Sequence, residues 1–99
     1  MSELKTSLQP FENAKKLNEE YPNFYYPSPE DFERISEFTH AKVCTGGERF
    51  WIEIQTASAK DSQLEGIIDN TLVCTDVHGL RCGDRIKVSY ENVYDLFEM

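Results

Sequence analysis

Cys74, His78 and Cys82 recur at every fourth position, with Asp76 between the first two. Thiols and imidazole at short spacing are zinc donors, and a thiol near an imidazole and a guanidinium (Cys82 with His78 and Arg81) outlines a nucleophile. Neither outline is completed. Structural zinc sites pair their cysteines closely and use four protein ligands, and His40 and Cys44 join the set only by an accident of folding. Cys82 stands in a Cys-Gly-Asp turn ahead of a strand, a connector position. No two of the eighteen acids are singled out as a hydrolytic pair, and Gly46-Gly47 lacks the Gly-Lys-Ser/Thr of a phosphate-binding loop. These residues therefore predict no metal, no cofactor and no enzyme.

The residues better suited to recognition lie on two strands. In Arg49–Gln55, Phe50, Ile52 and Ile54 point one way, while Arg49, Trp51, Glu53 and Gln55 point the other. The sole tryptophan thus shares a face with charge. In Arg85–Tyr90, Ile86, Val88 and Tyr90 point inward and Arg85, Lys87 and Ser89 outward. If the two strands are neighbours, Glu53 faces Lys87 or Arg85 across the ladder, a register device worth roughly 0.2–1 kcal/mol. The plain reading of Trp51 is a ring packed beneath the first helix or the Phe24-Tyr25-Tyr26 segment. The functional reading is an aromatic anchor flanked by Arg49, Glu53, Arg85 and Lys87, with Tyr25 and Tyr26 at its border, the composition of an interface hot spot.

Charge narrows the partner. Eighteen acids against ten bases give a formal charge of −8, which argues against binding phosphate backbones or anionic lipid directly. Residues 1–40 carry eight acids and four bases and residues 41–99 ten and six, so no separate acidic arm exists. A protein partner is expected, basic or neutral, with a homo-oligomer left open. A second reading is an acidic inhibitor or immunity-type protein that fills the basic nucleic-acid groove of a nuclease, toxin or defence enzyme. That reading requires Asp61, Glu65, Asp69, Asp76 and Glu91 to form one patch, and interleaved Lys60, Arg81 and Lys87 would break it. An odd number of cysteines, three, suggests no closed disulfide framework and a reducing cytoplasm. The opening residues Met1-Ser2-Glu3-Leu4-Lys5-Thr6 lack a secretory signal pattern, and no apolar run approaches the roughly 20 residues of a membrane span.

The elements that would position these groups follow from periodicity. Residues 1–9 read as a flexible lead-in and 10–99 as a single α+β domain. Phe11, Ala14, Leu17 and Tyr21 predict a helix opening at Pro10, with Glu12 near its positive end. Ser28, Pro29, Glu30 and Asp31 predict a second helix start, followed by a stripe of Phe32, Ile35 and Phe38. From Ala41 the pattern changes to strands at Ala41–Cys44, Arg49–Gln55, Leu64–Asp69, Leu72–Thr75, Arg85–Tyr90 and Val93–Phe97. Turn spacing predicts a small curled antiparallel sheet or barrel of about five strands, preceded by two short helices.

The runs Phe24-Tyr25-Tyr26-Pro27-Ser28, Gly47-Glu48-Arg49-Phe50-Trp51-Ile52-Glu53-Ile54, Gly66-Ile67-Ile68-Asp69-Asn70 and Gly83-Asp84-Arg85-Ile86-Lys87-Val88 resemble, in order and spacing, the uncharacterised bacterial YegJ-like domains. The likeness covers roughly residues 11–97. It implies an SH3-like β structure with an N-terminal helix, and it brings no activity and no catalytic residues. The Cys74–Cys82 connector and the Phe24-Tyr25-Tyr26 cluster depart from that pattern. The expectation from sequence is a non-catalytic protein-binding module of bacterial or phage type.

Overall fold

The computed structural model describes residues 4–98. Two short helices, α1 (Ala14–Glu20) and α2 (Pro29–Glu33), precede β1 (His40–Thr45), β2 (Glu48–Ser58) and β3 (Gln63–Ile68). A single helical turn, α3 (Thr75–His78), leads to β4 (Arg85–Ser89) and β5 (Asp95–Phe97). The five strands make one antiparallel sheet in the order β4-β3-β2-β1-β5. The class is α+β, as expected, but the sheet is neither closed nor strongly curled. β5 has three residues, all paired with β1, and no ladder joins it to β4.

The β1–β2 hairpin turns through Gly46 and Gly47, whose φ values of 58° and 80° are the left-handed pair a two-residue hairpin needs. That turn sets Val43 opposite Phe50 and Ala41 opposite Ile52. One face of the sheet then collects Ala41, Val43, Phe50, Ile52, Leu64, Ile68, Ile86 and Val88, closed over by Ile35, Leu80, Tyr90 and Val93. A smaller cluster of Ala14, Cys44 and Tyr94, with Leu17 and Tyr26 against it, seats α1 near the Cys44 end of the sheet.

Three local expectations change. The first helix does not open at Pro10. Phe11 forms a bridge to Thr45, and the Glu12 N–H donates to the Cys44 carbonyl at 2.9 Å. The chain thus extends along β1 until Asn13 caps α1 by accepting from the Lys16 N–H at 2.8 Å. The strand expected at Leu72–Thr75 is absent because the Val73 and Cys74 amides are spent on the Glu48 carboxylate, at 2.9 Å each. And β3 lies between β2 and β4, so Arg85 and Lys87 do not neighbour Glu53. Lys87 stands opposite Glu65 instead. The second helix starts as expected, with a Ser28–Asp31 capping box and Pro29 in its first turn.

Residues 4–9 of the expected lead-in run against the sheet. The Lys5 N–H donates to Arg85 (2.7 Å), the Leu8 N–H donates to His78 (2.8 Å), and Ser7 bonds the buried Thr45 hydroxyl at 2.9 Å. Met1, Ser2 and Glu3 lie outside the described residues.

Where β2 and β3 meet at a bulge between Ile54 and Thr56, Gly66 allows close approach. A Cβ there would stand 2.8 Å from the Glu53 carbonyl oxygen and 2.9 Å from Ile52 Cδ1. Gly66→Ala is expected to lower stability in urea denaturation by about 1–3 kcal/mol, the cost of overpacking. An unchanged midpoint would show that β2 can give way at the bulge.

Candidate functional site

On the sheet face away from the main core, the cross-strand register lines up Phe97, His40, Glu53 and Ile67 in one row. Trp51 lies in the next row, opposite Lys42. The Trp51 row has no partner on β3, which ends at Ile68, and a side chain takes over there. The Asp69 N–H donates to the Trp51 carbonyl at 3.0 Å, and the Trp51 N–H donates to Asn70 Oδ1. These two bonds hold the Asp69-Asn70 corner against β2. They shape a pocket of about 260 Å³ lined by His40, Trp51, Asp69, Asn70 and Phe97.

Two aromatic rings form its walls, Trp51 and Phe97 meeting edge-on with centroids 5.9 Å apart. Trp51 is half-buried and Phe97 is 52% exposed. The Lys42 ammonium sits 5.6 Å from the indole centroid. At the base His40, only 8% exposed, places Nε2 2.9 Å from Asp69 Oδ2. Its other nitrogen, Nδ1, lies 2.9 Å from the Thr39 hydroxyl, which donates to the Phe97 carbonyl at 3.2 Å. His40, Glu53 and Asp69 present one donor atom each, all within 4.8 Å of one another.

The structure brings together only part of the set expected from sequence. Trp51 meets Phe97 and Lys42, and its face carries charge as the alternation predicts. Glu53 is exposed on that face beside His40. Arg49 shares the face but stacks its guanidinium 4.9 Å from the Tyr94 ring, toward α1. Arg85 is two strands away and bridges Glu65 at 3.2 Å. Tyr26 donates to the Tyr90 carbonyl at 3.2 Å and packs on Phe32, while Tyr25 is exposed with its hydroxyl turned toward Asp31. The acids of the second reading are dispersed. Glu65 is tied to Arg85 and faces Lys87, Glu91 bridges Lys15 at 3.9 Å, and Asp69 goes to His40. Asp61 bonds Ser58 within the β2–β3 turn, and Asp76 opens α3.

His40, Asn70 and Phe97 were missed as site residues. Of these only Asn70 carries a signal in the sequence, an Asp-Asn turn after a strand whose partner carries tryptophan.

The spaced Cys74, His78 and Cys82 are not gathered into a cluster. His78 is fully buried and uses both nitrogens: Nδ1 accepts from the Leu80 N–H at 3.0 Å, so Nε2 carries the proton donated to Glu48 at 2.9 Å. Cys82 is exposed, its thiol 3.6 Å from the Ile68 carbonyl. Cys44 donates to the Glu12 carboxylate, and burial with that carboxylate pushes its thiol up to about 12. Among the described residues no helix is long and apolar enough to cross a membrane.

Burial acts to raise the Glu48 pKa, but the bonds from His78, Val73 and Cys74 outweigh it and hold the carboxyl below its ordinary 4.5. A depressed folded pKa gives stability that is complete above the unfolded value and lost as pH falls through the folded one. Glu48→Ala orphans three donors and is expected to cost about 3 kcal/mol at neutral pH. Its stability should also fall less steeply than that of the parent protein in acid, below pH 4.5; parallel curves would remove Glu48 from the account. Iodoacetamide on the native protein at neutral pH should label Cys82 and spare Cys44, read by mass spectrometry of the digest.

No protein-family model matches this chain, and no curated protein or solved structure does.

Proposed function

We propose that this chain is a non-catalytic, cytoplasmic protein-binding module of bacterial or phage type that receives a basic segment of a partner protein in the Trp51–Phe97 pocket. The observation that carries this reading is the pairing of two partly exposed rings with carboxylates at one pocket. Rings supply apolar contact and a negative π face, and Asp69 and Glu53 supply charge, the combination that takes a lysine or arginine side chain. The net charge of −8 favours the same partner class and speeds its approach. For the layout, the strand order and the 3₁₀ turn Tyr90–Asn92 between β4 and β5 support an SH3-like arrangement opened into a sheet. The inhibitor reading loses its contiguous acid, because Arg85, Lys87 and Lys15 stand among the carboxylates it needs.

Binding to an array of lysine- and arginine-rich peptides tests the proposal. Trp51→Ala is expected to weaken capture at least about tenfold, roughly 1.4 kcal/mol, and added salt should weaken it further by screening. Phe97→Ala, at a more exposed position, is the companion should Trp51→Ala unfold. Basic peptides held equally well by folded variants of both rings would refute the pocket.

A further inference from the structure

The pocket base holds an arrangement that the peptide-binding reading does not need. The Thr39 hydroxyl lies 2.9 Å from His40 Nδ1 and 3.2 Å from the Phe97 carbonyl oxygen, so that with an ion on Nε2 the Nδ1–H would donate to Thr39. His40 Nε2 lies 2.9 Å from Asp69 Oδ2, on the side of the ring that faces Glu53 and the pocket. Glu53 is the direct cross-strand partner of His40, and its carboxylate is oriented by the Gln55 side-chain amide at 3.0 Å. Among the described residues no lysine or arginine bridges Glu53 or Asp69.

We infer that His40, Glu53 and Asp69 form a divalent-cation site of zinc type. One imidazole nitrogen and two carboxylate oxygens suit zinc and leave a fourth position for water, facing the pocket. Two carboxylates bring a charge of −2, which the ion cancels. Around zinc, donors at about 2.0–2.2 Å lie about 3.4 Å apart in a tetrahedron. From a set already within 4.8 Å of one another, side-chain rotation of the exposed Glu53 and Asp69 suffices. The imidazole need not move, since Thr39 holds its far nitrogen, as an outer-shell partner of a metal-bound histidine does. A basic side chain and a metal ion would compete for the same carboxylates, so the two occupants are alternatives at this pocket.

Titration of the full chain with zinc chloride alone, by calorimetry, tests the site without any partner, so its failure leaves the peptide-binding reading standing. One ion per chain is expected, with affinity falling at least tenfold in Glu53→Gln and in Asp69→Asn, both exposed positions whose folding is checked by circular dichroism. Cys82→Ser should leave binding unchanged. Cobalt in place of zinc should give weak visible bands with no thiolate charge-transfer absorption. Absence of saturable binding, binding indifferent to both carboxylate variants, or a thiolate band would each overturn the inference.

Discussion

A slip of one residue in β2 would carry Phe50 and Ile52 to the outer face and turn Trp51 and Glu53 into the core, because side chains along a strand alternate with period two. Core and pocket are therefore set by the same register. β2 is held in it from both sides, by β1 across the Gly46-Gly47 turn and by β3 up to Ile68. Burying Phe50 and Ile52 is worth roughly 1.5–3 kcal/mol each. A slipped register would lose both and bury the Glu53 carboxylate as well. The pocket geometry is stable because moving it would dismantle the core.

At one end of the β2–β3 ladder, where β2 runs on past the last residue of β3, side chains do the work of a missing strand. Where β2 begins, the Glu48 carboxylate accepts from two successive amides and from His78, folding the 72–80 segment onto the sheet and setting Leu80 into the core. Where β3 ends, Asn70 accepts the Trp51 amide that would otherwise have no ladder partner. Backbone donors must be satisfied wherever they are shielded from water. The polar residue chosen for that task decides the path of the connector. One substitution, Glu48, yields a structural clamp. The other, Asn70, helps place Asp69 beside His40 and so shapes the proposed site.

What could be read from sequence was what local chemistry controls. The alternation in Arg49–Gln55, the glycine turn before it and the Ser28 cap are written in adjacent residues, and each is found in the fold. The first helix was misplaced because Phe11 and Glu12 obey a distant partner, β1, and not their own periodicity. Strand order is invisible to the same reasoning. Arg85 and Lys87 can face Glu53 only if their strands are neighbours, but β3 intervenes and Glu65 takes them. The Cys74-His78-Cys82 spacing, a weak signal, is not gathered into a cluster, since His78 is drawn inward to Glu48. His40 gave no signal because its partners, Glu53 and Asp69, lie on two other segments.

The outer face is sheltered at one end only, where α1 closes over Cys44 and Tyr94. At the other end the sheet keeps half-buried aromatic surface and carboxylates that, among the described residues, no lysine or arginine bridges. Neither feature helps an isolated fold. Partly exposed rings forgo burial energy, and like charges held together by a fixed register repel at a range that salt only partly screens. Elsewhere on the molecule comparable acids are answered, Glu65 by Arg85 and Glu91 by Lys15. The asymmetry lies between charge balanced internally and charge left for something external to balance. A cation arriving from outside, whether a metal ion or a side chain of another protein, recovers that electrostatic deficit on binding, and the rigid register spares it the cost of assembling the groups.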